Sequence, residues 1–252
     1  MAAAPVLPIP RPDEAPLSEG ARIVDTFLAP KRTFLDLRRN ASWWAPFLLL
    51  SLASLGFFYT IDQKIGFRKV AQNQIQQVPK AAQRLERLPP DQQSQAVDRQ
   101  AVGLKYFLYG YPAVILLSNL IIAALLFATF RFAAGADLKF KTSYAIVMNA
   151  SLPLEVKTIL ATISLAAGAN PDTFVLQNPV ATNPGYFLSP ADSPLLFSLA
   201  SAVDIFMMWT LVLTAVGFAV VAKLKRSTAL VVVFLWYLVF VLGSAGSAAV
   251  FS

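Results

Sequence analysis

Asn149–Leu160 reads NASLPLEVKTIL, inside a run from Tyr144 to Gly168 that otherwise has the length and apolarity of a membrane-crossing helix. Pro153, Glu155 and Lys157 fall within five residues of one another. Each charge placed centrally in hydrocarbon costs roughly 2.5–3.5 kcal/mol on insertion scales. The stretch is a span by its length and flanks, so its charged groups need partners elsewhere in the chain.

The composition agrees with a membrane setting. Of 252 residues, 56% are hydrophobic and 14% charged, against about a quarter charged in soluble domains. With mean hydropathy at +0.58, the excess apolar surface needs lipid. The chain has no cysteine and no histidine. That removes thiol nucleophiles, imidazole bases, disulfides and the usual zinc and haem ligands, so no metal site or cofactor is expected. The net charge of +7 fits basic loops facing anionic lipid. No aromatic-basic patch or recognition motif accompanies it, so nucleic acid is not an expected partner. The opening MAAAPVLPIPRPDEAPLSEG, residues 1–20, is rich in proline and alanine and lacks the basic start and apolar core of a signal peptide. It reads as a disordered tail.

Five stretches can cross a core of about 30 Å. They run approximately over 43–61, 106–130, 144–168, 195–222 and 229–251. The first, second and fifth carry no charge, whereas the fourth holds Asp204. The expected fold is all-α: a polytopic bundle of five transmembrane helices within a membrane domain over 21–252. The basic residues of the connections set the orientation. Arg22, Lys31, Arg32, Arg38 and Arg39, then Arg131, Lys139 and Lys141, then Lys223, Lys225 and Arg226 all fall on the side of the N-terminus. The connection Ala169–Pro194 has two aspartates and no basic residue. The expectation is a cytoplasmic N-terminus and an outward C-terminus. The basic segment Asp62–Lys105 runs against that bias, but long loops count for less.

Two segments outside the spans carry helical patterns. Over 62–105, FRKVAQNQIQQVPKAAQRLERL is followed by the turn LPPDQQ and a second helical stretch, which predicts an extracytoplasmic helical hairpin. It is either a solvated extension of two spans or a docking platform. Over 21–41, ARIVDTFLAPKRTFLDLRRNA sets Ile23, Phe27, Phe34 and Leu37 on one face, with Arg22, Lys31, Arg32, Arg38 and Arg39 as basic heads. This predicts an interfacial amphipathic helix, apolar side down, with Trp43 and Trp44 at headgroup level. Pro30 suits the first turn of its second half. Membrane anchoring and binding of a cytoplasmic partner are both open for this segment.

Depth gives the charges their partners. At a rise of about 1.5 Å per residue, Lys157 lies roughly 20 Å from the inner face and Asp204 roughly 14 Å from the outer one. In a core of about 30 Å those depths differ by about 4 Å, within reach of a lysine side chain. The expected pair is therefore Lys157 with Asp204, and Pro153 opens the helix beside Glu155. Asn119 and Asn149 come out at similar depths and are candidates for a hydrogen bond across the second and third spans. Such a cluster fixes helix register, lines a proton or ion path, or contacts a lipid headgroup. In the last span, Gly243 and Ser247 form a small-xxx-small pair that permits close helix approach. No histidine-based protease site is available, only one membrane aspartate is present, and no glycine-rich phosphate loop precedes a helix. The expectation is that the chain is not an enzyme.

FLAPKRTFLDLRRNASWWAPFLLL (Phe27–Leu50), FKTSYAIVMNASLPLEV (Phe140–Val156), LQNPVATNPGYFL (Leu176–Leu188) and SLASAVDIFMMWTLVLTAVGFA (Ser198–Ala219) occur in this order. Together they resemble the bacterial members of the Yip1 family, from about Arg22 to the C-terminus. The resemblance implies a five-helix integral membrane protein with a cytoplasmic N-terminus. Eukaryotic relatives associate with one another and with prenylated Rab GTPases in vesicle traffic. This chain lacks their longer N-terminal region with its DLYGP-type motif, so Rab binding is not carried over. The implied role is a multi-pass protein of a bacterial inner membrane, acting through other membrane proteins, itself or lipids. The alternative is a small transporter or channel with a midplane polar site at Glu155, Lys157 and Asp204.

Overall fold

A computed structural model describes residues 15–251, with side chains described up to Ala248. Residues 1–14, most of the expected tail, lie outside the described residues. Among the described residues there is no strand. Twelve α-helices follow in order: α1 Glu19–Leu28, α2 Pro30–Leu37, α3 Trp44–Lys64, α4 Phe67–Gln76, α5 Pro79–Glu86, α6 Pro90–Tyr109, α7 Tyr111–Ala128, α8 Phe140–Ala150, α9 Leu152–Ala166, α10 Pro194–Ala202, α11 Ile205–Val221 and α12 Arg226–Phe251. Four segments are long and apolar enough to cross a membrane: Trp44–Lys64, Tyr111–Ala133, Phe140–Ala166 and Arg226–Ala248. α10 and α11 pass the same test only as a pair, bent by 50° at a short break, which makes four crossings, or five if the pair is one span.

The helix starts follow simple chemistry. Ser18 caps α1, its hydroxyl accepting from the Ala21 N–H at 3.2 Å. Pro30, Pro79 and Pro90 open α2, α5 and α6, where the missing N–H is no loss and the fixed φ is already helical. At Ser151 the third span changes from α8 to α9, just before Pro153, which cannot donate back to the preceding turn.

The chain divides into two compact units, and the spans contribute residues to both. The first unit holds the chain up to Leu49, with Ile115–Pro153 and Trp209–Phe234. Its core includes Phe34, Leu37, Ile146, Met148 and Phe130, all fully buried. Phe130 stacks on Phe218 with ring centroids 4.8 Å apart. A β-carbon at Gly217 would lie 2.5 Å from the Ile146 methyl and 3.0 Å from the Phe34 ring, so only glycine lets α2, α8 and α11 close here.

This unit corrects the reading of the N-terminal segment. The expected single interfacial helix is two helices, broken at Ala29 and packed against one another and against α8. Phe34 and Leu37 are buried in protein rather than presented to lipid. Arg22, expected as an exposed basic head, has no exposure at all. Its guanidinium donates to Asp36 Oδ2 from Nη2 at 2.7 Å and from Nε at 3.2 Å, and Nη1 lies 2.8 Å from Glu19. Thr26 and Thr33 both donate to its backbone carbonyl. An amphipathic pattern says which face is apolar, not what covers it. Phe27 meets the Trp209 ring edge-on at 5.5 Å, and Trp43 meets Tyr144 edge-on at 5.3 Å. Trp44, Lys31, Arg32, Arg38 and Arg39 are exposed, and Arg32 pairs with Asp25 at 3.1 Å.

The second unit holds Leu50–Val114, Leu154–Met208 and the chain from Leu235. The segment expected as a two-helix hairpin contains α4 and α5, followed by α6, which runs to the start of the second span. α4 packs on α6, and α5 buries no residue. Phe67, Val70, Ala71 and Ile75 of α4 join Val97 and Ala101 of α6 in a core shared with Phe57, Phe58 and Ile61 of α3 and Ala161 and Leu165 of α9.

Candidate functional site

Asp204 organises the second unit. The break between α10 and α11 leaves the first amide groups of α11 without helical partners, and an aspartate at that point satisfies them. Its Oδ1 accepts from the backbone N–H of Phe206 at 2.9 Å and of Met207 at 3.2 Å. Its Oδ2 accepts from Lys157 Nζ at 2.7 Å, from Asn183 Nδ2 at 3.2 Å, and from the Thr182 hydroxyl. One carboxylate thus takes five donors while remaining 3% exposed. The two charges offset each other, which removes most of the reason for either to leave.

The loop between the third and fourth spans reaches into this break. Ile205 N–H donates to the Thr182 carbonyl at 3.1 Å. Asn178 and Asn183 exchange two amide hydrogen bonds at 2.9 and 2.8 Å. A β-carbon at Gly185 would collide with the Ser201 hydroxyl and stand 2.7 Å from its backbone nitrogen, so this glycine lets the turn Pro184–Phe187 sit on α10. At its other end the loop is held by α4: Asn73 donates to the carbonyls of Pro171 at 2.8 Å and Phe174 at 3.1 Å, and Lys69 pairs with Asp172. The Tyr237 hydroxyl of α12 donates to the Ala202 carbonyl at 2.7 Å, satisfying the frayed end of α10.

The residues expected as one intramembrane cluster fall into two groups. Lys157 and Asp204 pair directly. Glu155 is 5% exposed, and its Oε2 has no hydrogen-bond partner. It lies in the first turn of α9, where the helix dipole favours an acidic group. Pro153, Asn119 and Asn149 belong to the first unit. The expected Asn119–Asn149 hydrogen bond is not made. Asn149 donates to the Ala145 carbonyl at 2.8 Å and the Ser42 carbonyl at 3.2 Å. Asn119 donates to the Ile115 carbonyl of its own helix at 2.8 Å and accepts from the Ser151 hydroxyl at 3.0 Å. Carbonyls one turn back satisfy one N–H of each amide, and nearer groups take the rest.

The small-residue pair of the last span is left open by its own chain. Gly243 and Ser247 are exposed, and a β-carbon at Gly243 would meet nothing within 4 Å. The buried stripe of α12 there runs through Val241 and Ala245 instead. Thr182, Asn183, Asn178 and Tyr237 were not anticipated as site residues. The one signal for the loop residues is the repeated Asn-Pro in LQNPVATNPGYFL, a turn marker that does not say where the turns dock.

The Yip1 domain model matches residues 24–246. The chain belongs to the Yip1 domain family. It is a multi-pass membrane protein of the Yip1 type, as its run of apolar helices also requires. No curated protein and no solved structure matches.

Proposed function

We propose that this Yip1 protein is non-enzymatic and works by lateral association in a bacterial inner membrane, with other membrane proteins, with itself or with lipids. The carrying observation is how little of two spans the chain itself covers. Only 22% of the most apolar window of Arg226–Ala248 is buried, and 28% of that of Tyr111–Ala133. Asp204, which would line a path, is by contrast saturated by five donors, and Glu155 is buried. The basic residues Arg38, Arg39, Arg131, Lys139, Lys141, Lys223, Lys225 and Arg226 support a cytoplasmic N-terminus. The exposed Lys31, Arg38 and Trp44 support anchoring at that face.

Light crosslinking in cells, extraction in native-lipid discs and mass spectrometry test this reading. A membrane protein recovered in near-equal amount with the chain is the expected result. Recovery of the chain with only a small solute would overturn it and bring forward a transporter acting through Glu155, Lys157 and Asp204.

A further inference from the structure

We infer that a cleft beside Lys157 is a binding site for one phospholipid, with an acyl chain in an aromatic trough and an ester or phosphate oxygen on the lysine. This deepens the association reading by assigning one place to one class of partner. The cleft measures about 310 Å³, at the small end of the roughly 300–1,000 Å³ of ligand sites. Its walls come wholly from the second unit. Phe57 and Phe58 of α3, Phe107 and Leu108 of α6, and Tyr111 of α7 are among its lining residues. Phe107 is 56% exposed.

Lys157 decides the chemistry. An ammonium carries three N–H donors. Among the described residues one acceptor meets them, Asp204 Oδ2 at 2.7 Å. The side chain is 22% exposed and lines the cleft. Lys157 lies well inside the span Phe140–Ala166, where a polar group without a partner is expensive. A bare hydrocarbon chain would leave the N–H groups unmet. A ligand with both an apolar tail and an oxygen acceptor satisfies the trough and the lysine together. Phospholipid has both, is the solvent of this surface, and brings negative charge toward the ammonium. The hydroxyl of Thr158, one residue on, also lines the cleft and already donates to the Leu154 carbonyl.

The test uses the full chain in phosphatidylglycerol vesicles with a trace of phosphatidylglycerol carrying a diazirine on its acyl chain. Photolysis should label peptides containing Phe57–Phe58, Phe107–Tyr111 and Thr158–Ala161. Excess glycerol phosphate should not reduce this labelling. Thr158→Phe fills the cleft while keeping the Lys157–Asp204 pair, and should lower this labelling about tenfold at unchanged thermal stability. Lys157→Met should also lower it, with Asp204→Asn added so that no lone aspartate remains. Labelling spread evenly over all exposed spans, or untouched by Thr158→Phe, would overturn the site. Competition by glycerol phosphate alone would also overturn it, by showing a free anion site. The two readings fail separately. A partner protein captured from cells without cleft labelling leaves association standing and removes the lipid site; cleft labelling without a captured partner keeps the lipid site and removes association with proteins.

Discussion

Each unit of the molecule contains one buried ion pair, and the two are built for different tasks. Arg22 and Asp36 join helices fourteen residues apart, and the arginine is wholly buried. Its planar fork spends donors on Asp36 and on the Leu17 carbonyl, with Glu19 alongside. Lys157 and Asp204 lie 47 residues apart, and the lysine side chain stays 22% exposed. The first pair closes a local hairpin with a residue suited to full burial. The second joins the third crossing to the break in the fourth and ties in the long loop through Thr182 and Asn183. A sealed pair fixes structure alone. A pair with one open face fixes structure and offers chemistry to what lies beside it.

The comparison breaks most readily at the sealed end. Arg22→Met leaves Asp36 buried without its cation. Removing one partner from a buried pair costs about 3–5 kcal/mol, so thermal unfolding in mild detergent should show the largest loss of any single change considered. A variant with nearly wild-type melting would mean that Asp36 reaches water when alone, and the pair would not be sealed.

Asp204→Asn removes a charge but keeps a side chain able to cap α11. The loss is expected to be smaller, about 1.5–3 kcal/mol, the range for hydrogen bonds to charged groups. Lys157→Met alone should also destabilise. The double variant should be distinctly less harmful than the two losses added, since each single change strands the other charge. Strict additivity in chemical or thermal unfolding would remove the pair as an energetic unit.

Gly217→Ala sharpens the picture of the first unit. A methyl there meets Ile146 and the Phe34 ring, and overpacking of this kind costs about 1–3 kcal/mol. Gly243→Ala is the matching control. Its β-carbon meets open space, so stability should change by no more than about 0.5 kcal/mol. If Gly243→Ala weakened self-association in crosslinking while leaving stability intact, the exposed face of α12 would be an interface between copies.

The sequence pattern carries the crossings well, because about 20 apolar residues and a 1.5 Å rise leave little freedom. The same arithmetic brings Lys157 and Asp204 to one depth. Three features escape it. The fourth crossing reads as one continuous apolar run, yet Val203–Asp204 is a break in which aspartate acts as the cap of a new helix. Hydropathy averages over such a residue. The docking of Thr182 and Asn183 lies in loop geometry, which has no periodicity to read. Arg22 sits among apolar residues in a basic segment, and its acidic partners Glu19 and Asp36 flank it at helical and hairpin distances. A basic amphipathic pattern does not distinguish a snorkelling arginine from a buried one. The asparagines mislead for the opposite reason: similar depth permits a contact, but carbonyls one turn back are always nearer.

If the charges of the third and fourth crossings form a shielded seam and not a water path, Glu155 is closed to aqueous reagents. The chain has no cysteine, so single cysteine variants report cleanly. The direct measurement is labelling of Glu155→Cys in intact membranes by a small membrane-impermeant thiol reagent applied to either side, with Arg87→Cys as the exposed reference. The account predicts ready labelling at position 87 and labelling at 155 only after denaturation. Labelling at 155 in the folded protein at a rate near that of the reference would contradict it.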